Sequence, residues 1–269
     1  MSIISALYAL AVVGVLGLLF GAGLAVASRV LSVEKDRRIE EVEAVLPGIN
    51  CGACGFAGCA AYAEGMVKQD AEISLCSPGG QEVMVALGKI LGKEVDLTKE
   101  KMVAQVHCRG NRERSVYKYD YKGVEDCVSA HILYGGDKVC PYGCLGLGSC
   151  IKICPVDAIS YDEDNCVWVD KDKCISCGKC VDICPTGVIR MIPYSADRIV
   201  ACNSTDKGGV TKKYCTVGCI GCKLCEKKSP EGGFQVENFL AKIDYAHKGE
   251  REEAAKACPP KCIIAADKK

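Results

Sequence analysis

The chain has 269 residues, 22 of them cysteine, with basic and acidic side chains balanced at 34 each. That balance gives no global positive field of the kind that marks a nucleic-acid binder. With 49% hydrophobic and 25% charged residues it is not a disordered chain either. Cysteine at this density means a disulfide scaffold or a metal protein. Only three histidines are present, which disfavours imidazole-rich zinc or copper sites.

Residues 1–28 carry no charged side chain, and Ile3 to Ala27 is a nearly continuous apolar run. At about 1.5 Å per residue such a run spans a hydrocarbon core. Nothing basic precedes it, as a signal peptide would require, while Arg29, Lys35, Arg37 and Arg38 follow closely. The positive-inside rule therefore predicts an uncleaved single-pass anchor over 1–28 with everything after it in the cytoplasm. A reducing compartment disfavours disulfides, so the cysteines are expected as metal-binding thiolates. Gly17-x-x-x-Gly21 within the span permits close helix contact with other membrane subunits.

Ile39, Val42, Val45 and Leu46 fall at helical spacing, which predicts a stalk helix over 29–46 that continues the span until Pro47-Gly48. A four-cysteine domain is expected over 47–92, with a helix around Ala57–Met66 and a second over Gln81–Leu91. Residues 93–107 read as a linker. A two-cluster ferredoxin-like domain is expected over 108–214 and a degenerate module with one cluster over 215–269. Within these, Cys-Pro followed by an alternating segment recurs at Cys154-Pro155, Cys184-Pro185 and Cys258-Pro259, with hairpins predicted at Ile159–Val169 and Phe234–Tyr245. The fold class is α+β.

The spacing Cys174-x2-Cys177-x2-Cys180-x3-Cys184-Pro185 is the bacterial ferredoxin run, in which three thiolates wrap one cubane and the fourth reaches its neighbour. A zinc knuckle wants paired C-x2-C units farther apart. The preceding arm, Cys140-x3-Cys144-x5-Cys150-x3-Cys154, is irregular, and Cys140 is expected to substitute as the third ligand. The swap then pairs Cys140, Cys144 and Cys150 with Cys184, and Cys174, Cys177 and Cys180 with Cys154. Gly146-Leu147-Gly148 in this loop mimics a nucleotide fingerprint but lacks its third glycine and preceding strand. In the last module Ser229 stands where a partner cysteine belongs, and counting back from Cys258 lands on Lys248, Arg251 and Ala254. One site therefore survives there: Cys219, Cys222, Cys225 and Cys258. The first group is Cys51, Cys54, Cys59 and Cys76, spaced by Gly52, Gly55 and Gly58; a cubane is favoured, with zinc the competing reading.

Six cysteines remain. Cys166 and Cys262 are expected as small buried hydrophobes. Cys108, Cys127, Cys202 and Cys215 flank the ferredoxin core and are predicted to form a fifth 4Fe–4S site, with unrelated free thiols the alternative. Arg109, Arg112, Arg114 and Lys118, alternating with tyrosines, read either as a solvated strand or as a docking face for an acidic ferredoxin. No nucleophile–base pair or nucleotide loop stands out, so no catalytic residue is assigned.

The anchor, the Cys51–Cys76 group and the ferredoxin-type modules containing Tyr142-Gly143-Cys144-Leu145-Gly146-Leu147-Gly148-Ser149-Cys150 form a combination with a known counterpart. Together they resemble the B component of the Rnf complex, the membrane-anchored, multi-cluster iron–sulfur subunit of the ion-translocating ferredoxin:NAD oxidoreductase. The resemblance covers nearly the whole chain. The cysteine count leads to about five 4Fe–4S clusters, and at least four; the resemblance implies soluble ferredoxin as electron donor, the other Rnf subunits as partners, and the bacterial cytoplasmic membrane as location. It also implies that the chain only transfers electrons. Two further readings stay open: an iron–sulfur subunit of another membrane oxidoreductase, of hydrogenase or reductase type, and a zinc-stapled interaction module on an anchor.

Overall fold

The computed structural model describes residues 3–30, 36–95 and 100–267. The uncharged N-terminal run forms one helix, α1 (Ile3–Val30). Its segment Leu10–Val30 is long and apolar enough to cross a membrane, and none of it is buried against the rest of the protein. Its leucines, valines and Phe20 therefore face outward all round, the pattern of a helix solvated by lipid.

The helix predicted to continue the span as a stalk is a separate element. Part of that segment, 31–35, lies outside the described residues. Beyond it α2 (Arg37–Val45) starts afresh at Asp36, whose carboxylate accepts the Arg38 N–H at 3.0 Å. Its apolar stripe does not face solvent. Ile39, Val42 and Leu46 are buried against Tyr62 and Met66 of α3 (Cys59–Lys68) and Leu87 of α4 (Gly80–Leu91). The periodicity that suggests a stalk is the inner face of a three-helix core. Gly92 closes α4 in a left-handed conformation.

The linker expected over 93–107 is likewise corrected in its described part. Residues 96–99 lie outside the description, but Met102–Val106 form β1, paired antiparallel with β4 (Ile189–Pro193). Val103, Ala104 and Val106 are buried in the central core. Gln105 interrupts the apolar run and so hides the strand. Its side chain is fully buried, and its amide donates to the carbonyls of Val169 and Ala266.

The rest follows the repeat. After α5 (Cys127–Ile132), a short helix ends at each of the first two Cys-Pro pairs: α6 (Ser149–Ile153) and α7 (Lys179–Asp182). Between them β2 (Ile159–Tyr161) and β3 (Val167–Val169) form the first predicted hairpin. β5 (Arg198–Val200) and α8 (Gly208–Tyr214) lead to α9 (Leu224–Lys228). The second predicted hairpin is β6 (Phe234–Glu237) with β7 (Leu240–Ile243). α10 (Glu252–Ala257) then precedes Cys258, and β8 (Ile263–Ala265) pairs back onto β5.

Where the last module has lost ligands, polar side chains fill the space. The Ser229 hydroxyl accepts the Ala254 N–H at 3.2 Å. The Arg251 guanidinium is buried and donates to the carbonyls of Gly232 and His247 and to Asp197. A satisfied guanidinium network thus occupies the positions where the duplicated pattern would have had a companion site.

Replacing Val42 by Asp places an unpaired carboxylate in the three-helix core, at about 3 kcal/mol or more. Limited proteolysis should then cut within 36–92 far faster than in the wild type. An unchanged digestion pattern would restore the exposed stalk.

Candidate metal centres

The sequence assigns twenty of the 22 cysteines as ligands, in five groups of four. The structure also gathers thiols into five places, but it exchanges two members. Cys51, Cys54, Cys59 and Cys76 come together at the start of α3 and the turns before α4, close enough that the other three thiols act on Cys76. Burial raises the Cys76 thiol first, and its neighbours' charges add to that. The Asn50 side chain accepts the Cys59 N–H at 2.8 Å and pins the loop.

Cys154, Cys174, Cys177 and Cys180 line one cavity of about 350 Å³. Its walls include Ala104 of β1, Val156, Ile159 and Val169. The Ala158 N–H points at the Cys154 sulfur at 3.3 Å.

The exchange involves Cys127 and Cys140. Cys127, at the start of α5, joins Cys144, Cys150 and Cys184 around a cavity of about 340 Å³. Asp126 caps α5 and accepts from the Ser149 hydroxyl at 2.7 Å, while that hydroxyl accepts the Cys127 N–H at 2.6 Å. This link from α5 to α6 brings a cysteine from well before Cys144 into the ferredoxin-type site. Cys140 instead turns toward Cys108, Cys202 and Cys215, and these four line a cavity of about 370 Å³. Counting positions back from Cys154 cannot reveal this, because the swap depends on a side-chain contact between distant segments.

Cys219, Cys222, Cys225 and Cys258 line the last cavity, of about 320 Å³, together with Cys262. Cys262 is buried, as expected, but it is not merely a small hydrophobe. Its sulfur lies 3.5 Å from that of Cys258. It holds its proton firmly through hydrogen bonds to Cys219 and Cys258, and those bonds hold both of its partners down to about 6. Cys166 is buried beside the Arg109 carbonyl, 3.5 Å from its sulfur.

Elsewhere burial pushes the thiols up, Cys140 and Cys225 to about 11 and Cys150, Cys180 and Cys202 to about 12. Such thiols become ligands only when a metal displaces their protons. Groups of four cysteines without histidine, at ferredoxin-type spacing in two of the places, suit iron–sulfur clusters.

Each of the five places has a neighbour close enough to act on its thiols. Cys51 is among the charges acting on Cys177. Cys150 acts on Cys180, Cys108 acts on Cys144, and the Cys219 N–H bonds to the Cys202 thiol. Lys138 lies between the third and fourth places, its buried ammonium donating to the carbonyls of Gly110 and Cys144. These contacts link the Cys51 group through Cys177, Cys150 and Cys108 to Cys219.

The arginines of the basic segment are paired with carboxylates of this chain. Arg109 pairs with Asp162 and Asp164, Arg114 with Asp164, and Arg112 with Asp120 and Asp137. The Lys118 ammonium donates to the Tyr134 carbonyl at 2.7 Å. Arg109 and Arg114 fasten the loop to the hairpin at Asp162 and Asp164, whereas Arg112 pairs at the surface and Lys118 stays exposed with only a neutral carbonyl as partner.

A family model described as "Putative Fe-S cluster" matches residues 46–78, and one described as "4Fe-4S binding domain" matches residues 167–190. The chain is 44% identical over 254 residues to the B component of the ion-translocating oxidoreductase complex of Methanosarcina acetivorans, covering 94% of this chain and 96% of that protein. It is 42% identical to the B component of the Na(+)-translocating ferredoxin:NAD(+) oxidoreductase complex of Acetobacterium woodii, over 94% of this chain and 75% of that protein. It is 40% identical to the proton-translocating counterpart of Clostridium ljungdahlii, over 96% and 90%.

With this grouping, Cys127→Ala and Cys184→Ala should each remove about four irons and abolish the same electron paramagnetic resonance signal. Cys140→Ala and Cys202→Ala should share a different one. A signal common to the Cys127→Ala and Cys202→Ala variants would restore the grouping expected from spacing.

Proposed function

The chain belongs to the family of B components of ion-translocating oxidoreductase, or Rnf, complexes. From that premise we propose that it carries electrons from soluble reduced ferredoxin to the membrane subunits of a ferredoxin:NAD oxidoreductase. One observation carries the reading: four hollows are each lined by four or more cysteines, and a fifth group gathers at Cys51–Cys76, with neighbouring groups acting on one another. The ligands assigned are Cys51, Cys54, Cys59 and Cys76; Cys154, Cys174, Cys177 and Cys180; Cys127, Cys144, Cys150 and Cys184; Cys108, Cys140, Cys202 and Cys215; and Cys219, Cys222, Cys225 and Cys258.

Each bound 4Fe–4S cluster supplies a one-electron acceptor and donor. The chain's own residues fix where such groups stand and what surrounds them. Apolar side chains line the sites of Cys144 and Cys174, which raises the cost of adding negative charge there, while hydroxyls and an amide line that of Cys108. The Lys138 ammonium, buried between the sites of Cys108 and Cys144, offsets that cost. The Cys262 thiol donates toward the sulfurs of Cys219 and Cys258, which favours the reduced state at the last site. The group nearest the anchor in sequence, Cys51–Cys76, is built on the helix α2 that follows the span. It is therefore assigned as the exit toward membrane partners.

The orientation belongs to the same reading: residues 36–267 lie in the cytoplasm, because Arg29, Lys35, Arg37 and Arg38 follow the span. Protease added to intact cells should leave the cysteine modules whole, and digestion from outside would overturn this orientation.

The proposal is tested by breaking this series of contacts in its middle. In the intact complex, Cys150→Ala should slow ferredoxin-dependent NAD reduction by roughly tenfold or more, equivalent to about 1.4 kcal/mol of barrier. Ferredoxin should still reduce the centres of Cys108 and Cys219 while that of Cys51 stays oxidised. Reduction of the Cys51 centre at the wild-type rate would sink the proposed order.

A further inference from the structure

The rim of the last site differs from that of the others. Cys222 is the one exposed cysteine among the described residues. Around it, three residues hold a left-handed backbone that glycine adopts freely and other residues adopt at a cost: Lys223 at φ 59°, Phe239 at φ 61° and Lys261 at φ 52°. Two residues before the third cysteine, the other ferredoxin-type sites carry Gly148 and Gly178, at φ 75° and 76°. Lys223 takes that position here. Lys261 takes the position that Asp157 and Gly187 hold after the other Cys-Pro pairs. Phe239 is the second residue of the two-residue turn joining β6 and β7, where both residues have positive φ and glycine is the usual choice. Its backbone lies against Gly221, next to Cys222, and its side chain is 45% exposed. Asp157 and Ser176 hold the same conformation at the site of Cys174, so what sets this rim apart is that two of its three strained residues are lysines and the third an exposed phenylalanine.

The charge on that rim is free. Lys223 lines the cavity, and Lys261 sits between Pro260 and Cys262, which line it too. Lys207 begins α8, whose Gly208 abuts the Ile220 carbonyl. Lys227 and Lys228 end α9, one turn from Lys223. All five are exposed, and none forms an ion pair among the described residues. Glu226 and Asp206 lie near them and keep their negative charge while accepting the Val236 N–H and the Tyr214 hydroxyl, but the five lysines outnumber them. Lys242 and Lys256 of the same module, by contrast, are paired with glutamates.

We propose that this rim docks an acidic soluble iron–sulfur carrier protein, with the exposed Phe239 as its apolar contact, the lysines as its charged ones and the site of Cys222 as the point of electron entry. The inference rests on the electron-transfer reading above and adds its location. The step moves one electron: the carrier is oxidised by one, the chain is reduced by one, and no proton or bond changes hands. Lysines at left-handed positions then bring charge close to the exposed edge of the site, at a cost in backbone strain that glycine would avoid.

The test uses the whole chain with its clusters, in membranes, and two reductants: a reduced acidic ferredoxin and reduced methyl viologen, a cation. The Lys223→Gly, Lys261→Gly double variant relieves the strain while removing the charge. It should keep its iron and be at least as heat-stable as the wild type. Its reduction by ferredoxin should be roughly tenfold slower at low salt, with the gap closing near 1 M, where the Debye length is about 3 Å. Reduction by the viologen cation should be unchanged or faster. Phe239→Gly should slow the ferredoxin step at every salt concentration. Ferredoxin rates equal to wild type at low salt in the lysine variant would overturn the docking surface. Loss of a copurifying sister protein of the complex would instead assign the face to that protein and overturn it equally. A wild-type chain that accepts electrons from viologen but none from ferredoxin would sink the electron-donor reading itself, which keeps the two failures apart.

Discussion

A four-sulfur cavity needs thiols that approach one point from different directions, and no single tight loop supplies all four. In the ferredoxin-type sites two or three come from one stretch and another returns from elsewhere, while Cys108, Cys140, Cys202 and Cys215 each come from a different stretch. Cys184 closes the site of Cys144 and Cys150, Cys154 closes that of Cys174, and Cys258 closes that of Cys219. Each closure ties separate stretches together, so the sites and the fold are one construction. The short helices α6, α7 and α10 each lead into a Cys-Pro cysteine, and the hairpins β2–β3 and β6–β7 form walls around the cavities.

The same constraint explains how a lost site is tolerated. Removing a cluster from a duplicated unit leaves space and unpartnered backbone. Arg251 answers both needs, since a guanidinium has five donors and a planar body. It stacks over the Tyr245 ring with its carbon 5.5 Å from the centroid while bonding two carbonyls and Asp197. One charged side chain thus stands where a cofactor would otherwise cross-link the module.

Much of this is legible in the sequence, and what is not has identifiable causes. The regular run Cys174 to Cys184 places itself, because local spacing alone sets a loop of that kind. The two hairpins are visible from their alternation and polar turns. β1 escapes notice because Gln105 breaks its apolar pattern, and only the carbonyls of Val169 and Ala266 explain a buried amide there. The helix after the span passes for a stalk because a periodic stripe tells that a helix has an inner face but not what covers it. The exchange of Cys127 and Cys140 is beyond spacing rules, since it turns on Ser149 and Asp126 joining segments far apart in the chain. The cationic segment at Arg109 looks free by composition, while its partners Asp162 and Asp164 lie far along the chain. The strained lysines cannot be seen at all, as φ angles are not written in residue types.

The pairing of β5 with β8 has a consequence for how the core is assembled. β8 ends at Ala265, and Ala266 accepts from Gln105, so a segment far along the chain completes a unit that began at Met102. Until that strand is laid against β5, the central core stands open along one edge, and the turn that leads from β5 to Cys202 has no wall behind it. Damage to β8 would therefore injure the centre of the molecule and not its periphery.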